Sequence, residues 1–465
     1  IRAPLAIVDM GSNGIRFGII ASLDRHLPVL YEERAPISLF DAQFSSHEGD
    51  EKVIDEVVRT FERWQALCHQ ANVETVRVIA TEATRTAPNS EEFQARIKAA
   101  TGWSVELLSK AQEANIGALG VMASYHTVQG LFMDLGGGSV QLNYIIRGPG
   151  DGQGASSPNA QSWPYGAAAL SKRLNACGSD KVARQEIFDE MVLAFKHGLD
   201  AIDVAPAVRE HNEREGGYRM YLSGGGFRAL GYLLMARKMK KSKDGSRYPI
   251  PIINGYMASG KELSKIVHEY RNLAPEEVQT CFRVSKRRAK LIPACATLMA
   301  AVMEVIPIKD VLFSEGGVRQ GGCFGMLPPA IQNKDPAYET VLNFVRNFGG
   351  LPVFIESLPR LIPLLVLVMN CYNQLPKEAR STAAWQLFLP GGALANCYGL
   401  THNDRAILAT VLSERHEGDL ADPDSGDAIK KLMPGGKIAR QAAKYLGKIL
   451  ALAGLCSPLP GLATL

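Results

Sequence analysis

Long apolar runs are missing from this 465-residue chain. The longest, Leu361–Met369, is about half the roughly 18 residues of a membrane span, and Pro363 interrupts it. No membrane partner is expected. Paired cysteines are missing too: the eight Cys (68, 177, 281, 295, 323, 371, 397, 456) form no CxxC pair. That excludes a zinc ribbon and a disulfide framework, and it suits reduced, mostly buried thiols in the cytoplasm. Charge of one sign is scarce. A net charge of +4 is too mild to imply nucleic acid. The basic stretches 238–247 and 286–290 lack interleaved aromatics, so no nucleic-acid partner is expected. They read as a solvated loop tip and a solvated helix face. The opening IRAPLAIVDM has no signal-peptide pattern. It also lacks an initiator Met, which leaves room for a targeting segment upstream.

What is present is an ordinary globular composition, 46% hydrophobic and 21% charged. Wholesale disorder, collagen and coiled coil are excluded. The length suits two or three domains at roughly 100–200 residues each. The first half alternates β-branched runs with helical periodicity, which points to α/β architecture. LAIVDMGSN and IRFGIIASL read as strand, turn, strand; LFMDLGGGSVQLNYII repeats the design. The breaker-rich stretch 148–162 reads as a flexible insertion. From about Pro336 the chain becomes helix-rich.

DMGSNGIR (9–16) and DLGGGSVQ (134–141) each put an acid at a strand end, followed by small residues. Gly and Ser let peptide N–H groups approach phosphate oxygens with no Cβ in the way. Ser12, Asn13 and Ser139 add side-chain donors. An Asp there can hold a divalent cation against phosphate. Two copies in the same order argue for a phosphate clamp. A third turn, LSGGGFRAL (222–230), offers Gly224, Gly225 and Gly226 as a nucleotide approach or as a plain helix entry.

This arrangement resembles the actin-like (ribonuclease H-like) fold, in which two lobes pinch a phosphate chain. More closely it resembles the exopolyphosphatase/guanosine pentaphosphate phosphatase (Ppx/GppA) family. Five segments match in order: IVDMGSNGIRFGI, VIATEATRTAPN (family AT-S-A-x-R-x-A-x-N), SKAQEANIGALGV, MDLGGGSVQL and SEGGVRQG. The wording GSNGIRF, ATEATR and SGGGFRALG is similar to the fungal retrograde-response branch, whose members pass mitochondrial status to the nucleus through partner proteins. The resemblance implies two lobes, 1–135 and 136–330. It further implies a helical domain, 331–465, similar to a degenerate HD domain without its metal-binding His and His-Asp motifs; His402 and His416 alone make no metal site. A homodimer through that domain is left open.

By the same resemblance Glu113 is the general base, and Asp9 and Asp134 orient Mg²⁺ or the attacking water. Ser12, Asn13, Gly136, Gly137, Gly138 and Ser139 hold phosphoryl oxygens, with Arg16 and Arg85 as neutralising cations. Three positions depart from the pattern: Gln141 stands for a Glu, Asn115 for an Arg, and Gln320 for the Glu of the closing motif. A neutral Gln141 weakens any Mg²⁺ site that used the carboxylate. Two readings follow. One is a regulator that binds a polyphosphate-type ligand or nucleotide between its lobes and is read by a protein partner. The other is an active Mg²⁺-dependent phosphoanhydride hydrolase. A sugar- or acetate-kinase-like phosphotransferase has no substrate-domain motif in its favour.

Overall fold

The structure, a computed structural model, describes residues 3–12, 14–37, 39, 47–87, 89–151, 154–240, 248–278, 283–347, 397–415, 432 and 440–448. The Leu361–Met369 run, Asn13, His416 and most of the basic loop after Lys240 lie outside the described residues. Two compact units divide the chain: 1–234 with 258–333, and 235–257 with 334–465. Both α/β lobes fall in the first unit.

The first lobe is built on β1 (Leu5–Gly11), β2 (Gly14–Ile20), β3 (Val29–Ala35), β4 (Thr75–Ala80) and β5 (Val105–Leu107). They form a five-stranded sheet in the order β3-β2-β1-β4-β5. The second lobe holds β6 (Val128–Leu135), β7 (Val140–Arg147), β8 (Ala155–Ser156), β9 (Gln161–Trp163), β10 (Tyr218–Ser223), β11 (Met257–Ser259) and β12 (Ile308–Phe313). Its order is β11-β12-β10-β6-β7-β8, with β9 also on β7. Both sheets mix parallel and antiparallel pairs. The α/β expectation with two mixed-sheet lobes holds.

Strand period explains where the acids point. On β1, Ala6, Val8 and Met10 enter a core with Phe61 and Trp64 of the helix His47–Gln70. Leu5 and Ile7 enter the opposite core with the helix Lys110–Ser124. Successive residues alternate faces, so Asp9 follows Leu5 and Ile7 toward that helix. On β6, Val128 and Phe132 enter the same second core, and Asp134 continues their face. Glu113 lies in the first turn of the helix that both acids face.

That helix is held at both ends. At its start, Ser109 and Gln112 form a reciprocal capping box. At its end, the fully buried Arg25 donates to the carbonyls of Ala123 (2.8 Å), Met122 (3.2 Å) and Tyr125 (3.0 Å). Arg147, also buried, donates to Tyr125 and His126, and both guanidinia stack on Phe324. The helix Val318–Gly325 crosses beside it; Gly120 has no room for a Cβ because the Gly317 backbone occupies that space.

Two expectations need correction. The stretch 148–162 is not wholly a loop: β8 and β9 pair with β7. The buried amide of Asn143 explains this, because it accepts from Ser157 N–H (2.9 Å) and donates to Ser157 O (3.2 Å), as a strand neighbour would. Residues 235–257 belong with the second unit and not with the second lobe. There Gly255 O accepts the His402 N–H (3.1 Å), and Tyr248 Oη lies 2.9 Å from His402 Nδ1. The described parts of 334–465 are mostly helical, among them Pro336–Asn347 and His402–Arg415. Among the described residues no helix is long and apolar enough to cross a membrane.

Candidate functional site

The strand ends carrying Asp9 and Asp134 open on one cleft of about 190 Å³ in the first unit. Asp9 sits on β1 in register with Arg16 on β2; Asp134 sits on β6 in register with Gln141 on β7. The two hairpins therefore repeat one plan but differ in the residue opposite the acid. Asp9, Ser12, Arg16, Glu113, Asp134, Gly136, Gly137 and Ser139 all line the cleft. Gly224, Gly225 and Gly226, which open the helix Gly224–Lys240, line it as well.

The turn 136–139 is secured from behind. Gly136, Gly137 and Gly138 carbonyls accept from Ala167 (2.9 Å), Ala168 (2.9 Å) and Gly166 (3.0 Å) at the start of the helix Ala167–Ala176. The N–H groups of Gly137, Gly138 and Ser139 make no hydrogen bond among the described residues. Peptide donors left in this way suit an anion.

Two expected phosphate contacts lie elsewhere. Arg85 is not on the cleft wall; it donates to Leu108 O and to Glu113 Oε2 (3.2 Å). It is therefore a partner of Glu113. Gly138 is not on the wall either; its Cα faces the Glu82 carboxylate. Asn115 also stays off the wall. Gln320 accepts the Gly317 N–H (3.2 Å) and so closes a helix start.

Gln141 takes up what the missing carboxylate leaves. Its Nε2 donates to Ser139 Oγ (2.8 Å) and reaches Glu113 Oε1 and Ser162 Oγ (both 3.4 Å). Burial raises the Glu113 carboxyl to about 7, against the Arg85 charge and with help from Asp134 and Glu82. Burial also raises Asp9 and Asp134, although the arginines Arg16 and Arg228 pull both down. Asp134 Oδ1 is buried and accepts no hydrogen bond among the described residues.

Sequence reasoning missed most of the positive charge. Five arginines line the cleft: Arg16, Arg34, Arg228, Arg287 and Arg288. Arg34 comes from β3, Arg228 from the third glycine turn, and the last two from the short helix Lys286–Ala289. Burial and neighbouring guanidinia lower Arg16, Arg34, Arg228 and Arg288 alike. The solvated-face reading of 286–290 fits Lys286 and Lys290, which are exposed. Arg287 is exposed too, although it also lines the cleft; the reading fails for the half-buried Arg288, which lines the cleft just after Ser285, whose side chain caps the Arg288 N–H. The repeated Arg in RRA was the available signal.

Comparisons with known proteins agree with this fold. Residues 19–330 match the Ppx/GppA phosphatase family, and residues 353–458 match the RTG2 C-terminal domain. The chain is 33% identical to retrograde regulation protein 2 of Saccharomyces cerevisiae, over 98% of this chain and 81% of that protein. It is 23% identical to guanosine-5'-triphosphate,3'-diphosphate pyrophosphatase of Aliivibrio fischeri, over 88% of this chain and 76% of that protein. Among solved structures, the Aquifex aeolicus Ppx-GppA enzyme covers 69% of this chain and 99% of its own, at TM-score 0.52 and 21% identity. An exopolyphosphatase from Cytophaga hutchinsonii covers 70% and 97%, at TM-score 0.53 and 19% identity. With the paired hairpins carrying their acids and glycine turns on that fold, and with the match running through both lobes, the chain belongs to the Ppx/GppA phosphatase family.

Proposed function

We propose that this chain is a regulator of mitochondria-to-nucleus retrograde signalling that binds a polyphosphate-type ligand or nucleotide in the cleft and passes the bound state to a protein partner. One observation carries the ligand reading: five arginines and three acids, Asp9, Glu113 and Asp134, line a single cleft with three glycine turns. Arginine suits phosphate because its fork donates two parallel hydrogen bonds. Similarity to a protein named for retrograde regulation, over nearly the whole chain, supports the regulatory reading.

Mg²⁺ fits this site as a companion of the ligand. Asp9 and Asp134 would hold it, and Asp134 Oδ1 is the uncommitted oxygen. Among the described residues no group of three or more His, Cys, Asp or Glu could hold a metal by itself. Mg²⁺ keeps several waters and takes the remaining ligands from phosphate, so two carboxylates suffice. When bound, it would neutralise charge on the phosphoryl group.

A second reading, phosphoanhydride hydrolysis, is favoured by Glu113. A carboxyl at about 7, buried beside the glycine turn, is poised as a general base. One experiment separates the two readings. Binding of tripolyphosphate, ATP and guanosine pentaphosphate is measured with phosphate release on the same samples, for wild type and Glu113→Gln. The regulator reading expects binding by both proteins with no release that depends on Glu113. Release abolished by Glu113→Gln would establish the hydrolase, and absence of binding would overturn the cleft reading.

A further inference from the structure

We propose that Glu82 selects the charge state of the ligand: its carboxylate stands at the glycine turn 136–139 as a resident anion and disfavours a fully ionised phosphate chain there. This rests on the reading that a phosphate ligand occupies the cleft. Glu82 follows β4 and opens the short helix Glu82–Arg85. The pattern AT-S-A-x-R has a serine at this place, a neutral hydrogen-bond donor, where this chain has an acid.

The side chain reaches from the first lobe onto Gly138 of the second. A methyl group added at Gly138 would collide with Glu82 Oε2, and Oε1 lies 3.2 Å from the same point. Only glycine leaves room for the carboxylate. Glu82 Oε2 is buried and accepts no hydrogen bond among the described residues. A buried, unpaired carboxylate oxygen opposes folding, so stability does not explain it.

The charges around Glu82 do not neutralise it. On its own helix, Arg85 is committed to Leu108 O and Glu113 Oε2. On the helix Lys110–Ser124, Lys110 attracts it and Glu113 opposes it. The turn 136–139 contributes no titratable group. Burial outweighs Arg85 and Lys110, so the Glu82 carboxyl is raised from its ordinary value. It also pushes Glu113 upward. Glu113 lines the cleft, while Glu82 stands against Gly138, the residue between the free N–H groups of Gly137 and Ser139 that invite an anion. A phosphoryl group on those donors would sit one residue either side of the glycine that Glu82 touches, and like charges close together in a dry site repel strongly. The repulsion falls when either partner carries a proton.

The test is calorimetric titration of sodium tripolyphosphate, with EDTA present, into wild type, Glu82→Gln and Glu82→Ser at about pH 8 and about pH 6. The thermal unfolding of each protein is recorded alongside. At the higher pH both variants are expected to bind about tenfold or more tightly than wild type, which corresponds to about 1.4 kcal/mol. At the lower pH the gap is expected to narrow, because burial raises the Glu82 carboxyl and brings its protonation closer to that pH. The unfolding temperature of Glu82→Gln stays level or rises. Equal or weaker binding by Glu82→Gln, with wild type still binding, overturns this inference alone. A clear drop in its unfolding temperature also overturns it, since the carboxylate would then be a structural contact between the lobes. No binding by any of the three proteins overturns the cleft reading with it.

Discussion

Arg25 offers the severest test of how the fold holds its site. It lies in the turn between β2 and β3, far in sequence from everything it touches. Its guanidinium is fully buried and donates to four carbonyls: Gln332 (3.1 Å), Ala123 (2.8 Å), Met122 (3.2 Å) and Tyr125 (3.0 Å). Met122 and Ala123 lie in the last turn of the helix whose first turn carries Glu113. Those carbonyls have no i+4 donor of their own, and the negative end of the helix dipole favours a cation. Arg25→Met keeps much of the volume and the contact with Phe324 but removes its donors, stranding the Met122 and Ala123 carbonyls while Tyr125 and Gln332 keep Arg147. Each stranded buried acceptor costs about 1–3 kcal/mol. Loss of a buried charge also relieves some desolvation, so the net expectation is about 3–5 kcal/mol. At roughly 2–4 °C per kcal/mol for a domain of this size, the unfolding temperature falls by on the order of 10 °C. Differential scanning calorimetry of the full chain reads this directly. A fall of about 2 °C or less would refute the reasoning, because the carbonyls would then have found water or one another.

Three further outcomes follow from the same geometry. Gly225 has nothing within 4 Å of an added Cβ and lines the cleft, so Gly225→Leu should abolish tripolyphosphate binding while leaving the unfolding temperature within about 2 °C of wild type; unchanged affinity in titration calorimetry would place the ligand elsewhere. Burial, with Arg405, holds His402 well below its ordinary value, so the folded chain refuses a proton that the unfolded chain accepts; stability should fall with decreasing pH below about 6.5, by up to about 1.4 kcal/mol per pH unit, and His402→Gln should flatten that slope in urea unfolding. Any phosphate release that Glu113 drives should rise with pH through about 7, as the carboxyl loses its proton, and Glu113→Gln should remove both the activity and the inflection.

The hairpins and their acids were legible in the sequence because strand, acid, glycine turn and strand are contiguous. Period-two alternation then settles which way Asp9 points. The helix carrying Glu113 was equally local, with its capping box in SKAQ. What stayed hidden depends on long-range contact. Nothing in LDRHLP marks Arg25 as a clamp for a helix about a hundred residues later. Arg34 sits on a strand whose other residues are mostly exposed, so its neighbours suggest solvent. Glu82 looks like an ordinary first-turn acid until Gly138 is placed against it. Arg85 carried a motif signal, yet its guanidinium reaches Glu113 and not the cleft wall. A motif fixes which residue type stands at a position, whereas burial and the opposite lobe decide what its charge meets.

The charge inside the cleft would couple the proposed ligand binding to the spacing of the lobes. Arg16 is lowered by Arg228 and Arg319, Arg34 by Arg16 and Arg287, and Arg288 by Arg34 and Arg16. Arg16 and Arg34 belong to the first lobe; Arg228, Arg287 and Arg288 belong to the second. The arginines therefore repel one another across the gap, and Asp9 and Asp134 offset only part of that repulsion around Arg16 and Arg228. On the proposed reading, a polyanion between the lobes would replace repulsion with attraction on both sides, and only a difference in its affinity for two lobe arrangements could then shift an equilibrium between them. Loss of the carboxylate at Gln141 does not weaken this effect, because a neutral residue there leaves the net positive charge of the cleft higher. The substitutions that depart from the hydrolytic pattern thus leave the proposed phosphate binding its positive charge.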